Sequence, residues 1–166
     1  MAGVSISIFH MHENLSRYSE VLSSVQKKAP FVLHAYCLMD NHIHLLLQKL
    51  DEPLGGIMKR IGTSYVYWFN RKYERVGHLF QARFRSEVVE DDSYFLTVLR
   101  YIHQNPTRAQ MVDLGGDYPW NSYAAYTSAV QQDKALVDTS LGLAIMEGRE
   151  PLLRFMINQT MIAALT

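Results

Sequence analysis

At 166 residues, with 48% hydrophobic content and no net charge, the chain is long enough for one domain with a proper core and too short to expect two. A single cysteine, Cys37, excludes an intrachain disulfide and any cysteine-cluster zinc site, and its place in an apolar run suits a small buried hydrophobe. The N-terminus shows no basic region followed by an apolar core, and no stretch approaches the roughly 20 apolar residues that span a bilayer, so a cytoplasmic protein with no membrane partner is expected.

From Asn14 to Lys28, Leu15, Tyr18, Leu22 and Val25 recur at spacings of three and four, which predicts an amphipathic helix stopped by Pro30. Phe31 to Met39 is apolar and aromatic, Asp40-Asn41 is a turn signal, and His42 to Gln48 follows; the two runs read as a hairpin. Side chains alternate on a strand, so His42, His44, Leu46 and Gln48 share one face while Ile43, Leu45 and Leu47 take the other, toward helices. Two imidazoles side by side make a ready pair of metal ligands, although His-x-His also arises by chance in strands.

After Asp51-Glu52-Pro53, the residues Leu54, Ile57, Met58, Ile61, Tyr65 and Trp68 mark a second helix of about five turns. His78 to Val89 alternates well enough to read as a strand. A third helix starts at Asp91-Asp92-Ser93, where acidic residues and serine suit an N-terminus, and runs to about Asn105, with Pro106 beyond it. Val4, Ile6 and Ile8 alternate with serine and supply an opening strand. The tail reads as loop and then two short helices, Ser140 to Glu147 and Pro151 to Ala164. This order predicts an α+β fold: a ferredoxin-like (split βαβ) antiparallel sheet with helices on one side and a C-terminal helical tail.

Between Ile57 and Ser86, seven basic residues (Lys59, Arg60, Arg71, Lys72, Arg75, Arg83, Arg85) face only Glu74, interleaved with aromatic residues. That mixture lets a surface track phosphates and stack bases, and an ordinary helix with a solvated basic face accounts for it as well. On the third helix Tyr101 and Asn105 are four residues apart and share a face. Two imidazoles, an amide oxygen and a phenol suit a divalent-metal site for phosphodiester chemistry, with Tyr101 as covalent nucleophile. A hydrolase using water would need a general base, and none stands near these motifs. His10-x-His12 forms a second pair without a downstream ligand set and reads as loop surface.

Three segments carry a resemblance: Met39-Asp40-Asn41-His42-Ile43-His44-Leu45-Leu46-Leu47, then Gly77-His78-Leu79-Phe80-Gln81-Ala82-Arg83-Phe84, then Arg100-Tyr101-Ile102-His103-Gln104-Asn105-Pro106-Thr107-Arg108-Ala109. In order and content they resemble the signatures of HUH-type single-tyrosine DNA transposases, the REP-associated tyrosine transposase branch in particular, from about Ile8 to Tyr126. The resemblance implies a metal-dependent enzyme that binds single-stranded or hairpin DNA, nicks it, keeps the 5′ end as a phosphotyrosine and rejoins strands. It implies His42, His44 and Asn105 as ligands of Mg²⁺ or Mn²⁺ and Tyr101 as nucleophile. Lys59, Arg60, Arg71, Lys72, Arg83 and Arg85 are the expected DNA contacts.

The alternative is a non-catalytic, domesticated DNA-binding protein that keeps the fold and hairpin recognition. Residues 1–126 are expected to form the catalytic domain, and 127–166 a helical extension packed on it. The region before Ile8 is short for the family and the net charge is low, which predicts impaired activity and weak non-specific DNA affinity. Residues from about Gly3 to Phe9 should fill the internal strand position, in their own chain or, as a swapped homodimer, in a partner's.

Overall fold

The computed structural model describes residues 11–80, 83–128 and 136–157. Among them the elements are α1 (His12–Lys28), β1 (Phe31–Leu38), β2 (Ile43–Lys49), α2 (Leu54–Lys72), α3 (Asp92–Arg108), a 3-10 turn (Gly115–Asp117), α4 (Tyr123–Thr127), α5 (Ser140–Ile145) and α6 (Arg149–Ile157). This is the α+β class that the sequence predicts, an antiparallel β1-β2 hairpin with helices. The described residues divide into two units that interleave along the chain. One holds α1, Leu38–His42 and Lys49–Glu87; the other holds Val32–Cys37, Ile43–Gln48 and the chain from Val88 onward. The expected opening strand, Gly3 to Phe9, lies outside the described residues.

In the first unit α1 and α2 pack on each other through their apolar stripes. Tyr18 and Tyr65 meet edge to face with centroids 5.0 Å apart, and burial pushes both phenols above their ordinary pKa. Leu15, Leu22 and Val25 of α1 and Ile57, Ile61 and Phe69 of α2 are buried, as their spacing requires. The helix ends are joined too: Tyr73 donates a 2.9 Å hydrogen bond to Asn14 Oδ1, and Lys72 Nζ lies 2.6 Å from Glu13.

The expected strand over His78 to Val89 is not formed among its described residues. Leu79 is buried and Phe80 stacks 6.4 Å from Tyr65, but the chain from Arg83 to Val88 is exposed on both sides, with Phe84 44% and Val88 75% accessible. Alternation makes a strand only where one face is buried against a partner, and here neither face is.

In the second unit, β1 is buried at every position except Val32, which is half-buried. The polypeptide that follows α3 bonds along β1 and protects it. Ser122 N donates to Tyr36 O (3.0 Å), Tyr36 N donates to Ser122 Oγ (2.9 Å), Tyr126 Oη donates to His34 O (2.8 Å) and Asp138 N donates to Leu33 O (2.8 Å), beside an isolated antiparallel bridge between Cys37 and Asn121. An exposed strand edge invites pairing with other chains, and these bonds occupy it. Burial pushes the Cys37 thiol up to about 12, consistent with a packing role. On β2 the buried residue is Leu46, on the histidine side, and Ile43, Leu45 and Leu47 on the other face are half-buried.

Helix α3 starts at Asp91, whose carboxylate accepts from Tyr94 N at 2.7 Å, as an N-cap should. It continues through Pro106 to Arg108 instead of ending at Asn105. In the last turn a missing N–H forfeits one bond, and Ala109 N still reaches Asn105 O at 2.9 Å. The tail helices start close to their predicted positions, and α5 and α6 both contact α3.

His103 links α3 to the β1 edge. Its Nε2 shares a 2.7 Å hydrogen bond with Ser122 Oγ, and its ring lies 5.7 Å from Tyr123 and 5.5 Å from Tyr126. Complete burial lowers its pKa to about 3. The folded state therefore holds His103 neutral, while the unfolded chain protonates near pH 6.5. Stability is full above about pH 6.5 and falls as pH drops toward 3, by about 1.4 kcal/mol per pH unit within that window. Urea unfolding at pH 7, 5.5 and 4 should show this slope, and His103→Gln should flatten it. An identical slope in both proteins would assign the acid sensitivity elsewhere.

Candidate active site

Within the second unit β2 and α3 bring one imidazole and one phenol together. The His44 and Tyr101 rings are in edge contact with centroids 5.5 Å apart. Both side chains are half-buried, and His44 Nε2 is out of contact with solvent. Asn105, one turn along α3, donates from Nδ2 to Tyr101 O at 2.9 Å, a bond that does not involve its side-chain oxygen. Arg108, a further three residues on, places its guanidinium 5.4 Å from the Tyr101 ring centroid. Positions 101, 105 and 108 share one helical face, so the nucleophile candidate has an imidazole and a guanidinium near its ring. Arg108 stands in the third sequence signature without an expected role, and its approach to Tyr101 comes from the helical turn they share.

His42 is exposed in the first unit, at the close of the hairpin turn in which Met39 N donates to His42 O at 2.9 Å. Its Nδ1 lies 2.6 Å from Asn41 Oδ1. An amide oxygen only accepts, so Nδ1 carries the proton and Nε2 the lone pair, the tautomer a metal ligand needs. Desolvation lowers its pKa, which favours the neutral ring at pH 7.

Among the described residues no group of three or more His, Cys, Asp or Glu side chains could hold a metal ion. The donor types expected from the motifs are instead imidazole nitrogen and the amide oxygen of Asn105. That set fits a borderline or hard divalent cation and not one that demands thiolates.

The expected DNA contacts divide into two groups. Arg60 is held by Glu52 through bonds of 2.9 and 3.0 Å, and Lys72 by Glu13, so both charges are largely offset. Lys59 and Arg71 on α2, and Arg83 and Arg85 beyond it, are exposed and form no ion pair among the described residues. No described helix is long and apolar enough to cross a membrane.

Residues 6–105 match the family described as Transposase IS200 like. The chain belongs to that family. The match takes in His42, His44, Tyr101 and Asn105 and ends before Arg108, and it makes this chain a member of a family of DNA-processing enzymes. A Haemophilus influenzae protein described as a REP-associated tyrosine transposase is 23% identical over 125 residues, covering 69% of this chain and 71% of that protein. The solved structure of a REP-associated tyrosine transposase bound to a REP hairpin superimposes with a TM-score of 0.65 at 14% identity, over 82% of this chain and 85% of that one, and shows the shared fold. The resemblance drawn from the three motifs is borne out.

Proposed function

We propose that this IS200-like family member is a tyrosine transposase that nicks and rejoins single-stranded or hairpin DNA through a 5′-phosphotyrosine. The observation that carries the reading is Tyr101, whose ring lies 5.5 Å from the His44 ring and 5.4 Å from the Arg108 guanidinium on the helix face it shares with Asn105. The phenol oxygen attacks the scissile phosphorus and the bond to the 3′-oxygen breaks. The phenol gives up its proton, and the departing 3′-oxygen gains one. The number of phosphodiester bonds is unchanged, so a 3′-hydroxyl attacking the phosphotyrosine reseals a strand without a nucleotide cofactor. His44 restricts the ring, and Arg108 is placed to hold a phosphate oxygen beside the phenol.

His42, His44 and Asn105 would hold Mg²⁺ or Mn²⁺, which when bound would stabilise charge developing on the scissile phosphate. Residues 1–126 carry this chemistry in the reading, and 127–166 are an extension whose helices α5 and α6 rest on α3. The solved relative is bound to a REP hairpin, which supports a hairpin as the substrate here.

The test is incubation of the full chain with a 3′-labelled, hairpin-bearing single strand and Mn²⁺. A labelled protein adduct mapped to Tyr101 is expected. Tight binding without an adduct under any divalent metal would favour the non-catalytic DNA-binding alternative, and no binding would overturn both readings.

A further inference from the structure

Helix α2 presents a second surface that the tyrosine chemistry does not use. Lys59, Thr63, Tyr67 and Arg71 follow one another at four-residue steps, and all four are exposed. At about 1.5 Å per residue the row runs roughly 18 Å, the length of a few nucleotides. Beside it lies an open depression of about 440 Å³, lined by Lys59, Gly62, Thr63, Val66, Tyr67 and His78.

Two details separate this face from an ordinary solvated one. Tyr67 is 69% exposed, an aromatic ring held outward between the cations Lys59 and Arg71, neither of which forms an ion pair among the described residues. Gly62 sits inside α2, where glycine is among the poorest helix formers, yet a Cβ added there would meet nothing within 4 Å. Packing therefore does not demand a glycine at this position. Its effect is to keep the floor of the depression at backbone level, so that a flat group can lie against the helix.

We propose that this face binds an unpaired segment of single-stranded DNA flanking the hairpin. One base stacks on Tyr67 over the floor formed by Gly62 and Val66, and Lys59 and Arg71 take phosphates a few nucleotides apart on either side of it. The exposed ring and two unopposed cations about three helical turns apart match a base and phosphates a few nucleotides apart on one strand, whereas an apolar peptide would leave both cations unpaired. The inference rests on the proposed reading of DNA as substrate and adds a contact on α2 to it.

Binding of two fluorescent DNAs, a blunt hairpin and the same hairpin with a single-stranded flank, tests this in a Tyr101→Phe background that prevents cleavage. The flanked DNA should bind more tightly. Tyr67→Ala should remove that difference, about tenfold, without changing affinity for the blunt hairpin, and Tyr67→Phe should keep it. Lys59→Ala should lower the salt slope for the flanked DNA by about one. Gly62→Leu, which fills the depression where space is open, should reproduce the Tyr67→Ala loss with an unchanged or raised Tm. If the parent protein binds both DNAs equally, or if Tyr67→Ala and Gly62→Leu leave the preference for the flank intact, the α2 contact is overturned while the transposase reading stands. If neither DNA binds, both fail together.

Discussion

Tyr101→Phe should bind hairpin DNA within about twofold of the parent protein and lose strand cleavage by a factor on the order of 10⁴ to 10⁶, the scale on which removing a nucleophile acts. The separation of the two effects follows from the geometry. Among the described residues no hydrogen bond uses the Tyr101 hydroxyl, and the bond from Asn105 goes to the backbone carbonyl, which the substitution keeps. The edge contact with His44 and the position under Arg108 involve the ring, which phenylalanine retains. Fold, site shape and charge should therefore survive, and single-turnover cleavage of a labelled strand isolates the oxygen. Cleavage at parental rates by the phenylalanine variant would remove the covalent mechanism and leave attack by water as the account to pursue.

Local periodicity made most of the helical fold readable. The stripes of α1 and α2, the acidic start of α3 and the Asp40-Asn41 turn are properties of neighbouring residues, and each sits within a few residues of its predicted place. The pairing of His44 with Tyr101 was legible only because both lie in ordered motifs, since nothing local relates residue 44 to residue 101. Features that depend on distant partners were not legible. Neutralisation of Lys72 needs Glu13, 59 positions away, and the buried neutral state of His103 needs Ser122 and two tyrosines from the tail. The strand expected over His78 to Val89 failed for the same reason: period-two alternation says nothing about whether a partner is available. Pro106 misled in another way: α3 runs through it to Arg108, and its buried ring and the bond from Ala109 N to Asn105 O belong to the continued helix.

Replacing both motif histidines, His42→Ala with His44→Ala, should abolish Mn²⁺ binding measured by calorimetry while the far-ultraviolet circular dichroism of the protein stays unchanged. His42 is exposed and His44 half-buried, and strand β2, which carries His44, is held by its backbone pairing with β1 and by buried Leu46, neither of which the substitutions remove. Asn41→Ala refines the expectation. It leaves both imidazoles in place but removes the oxygen that fixes the proton on His42 Nδ1, so Mn²⁺ affinity should fall by about ten- to a hundredfold without vanishing. Asn105→Ala should weaken the metal as well, because it deletes the hard oxygen donor and leaves the nitrogens. Equal Mn²⁺ binding by the parent and the double-histidine variant would exclude His42 and His44 as ligands. Binding that disappeared instead on substitution of His12 and His10 would transfer the metal to the pair at the start of α1, where His12 is exposed and His10 lies outside the described residues.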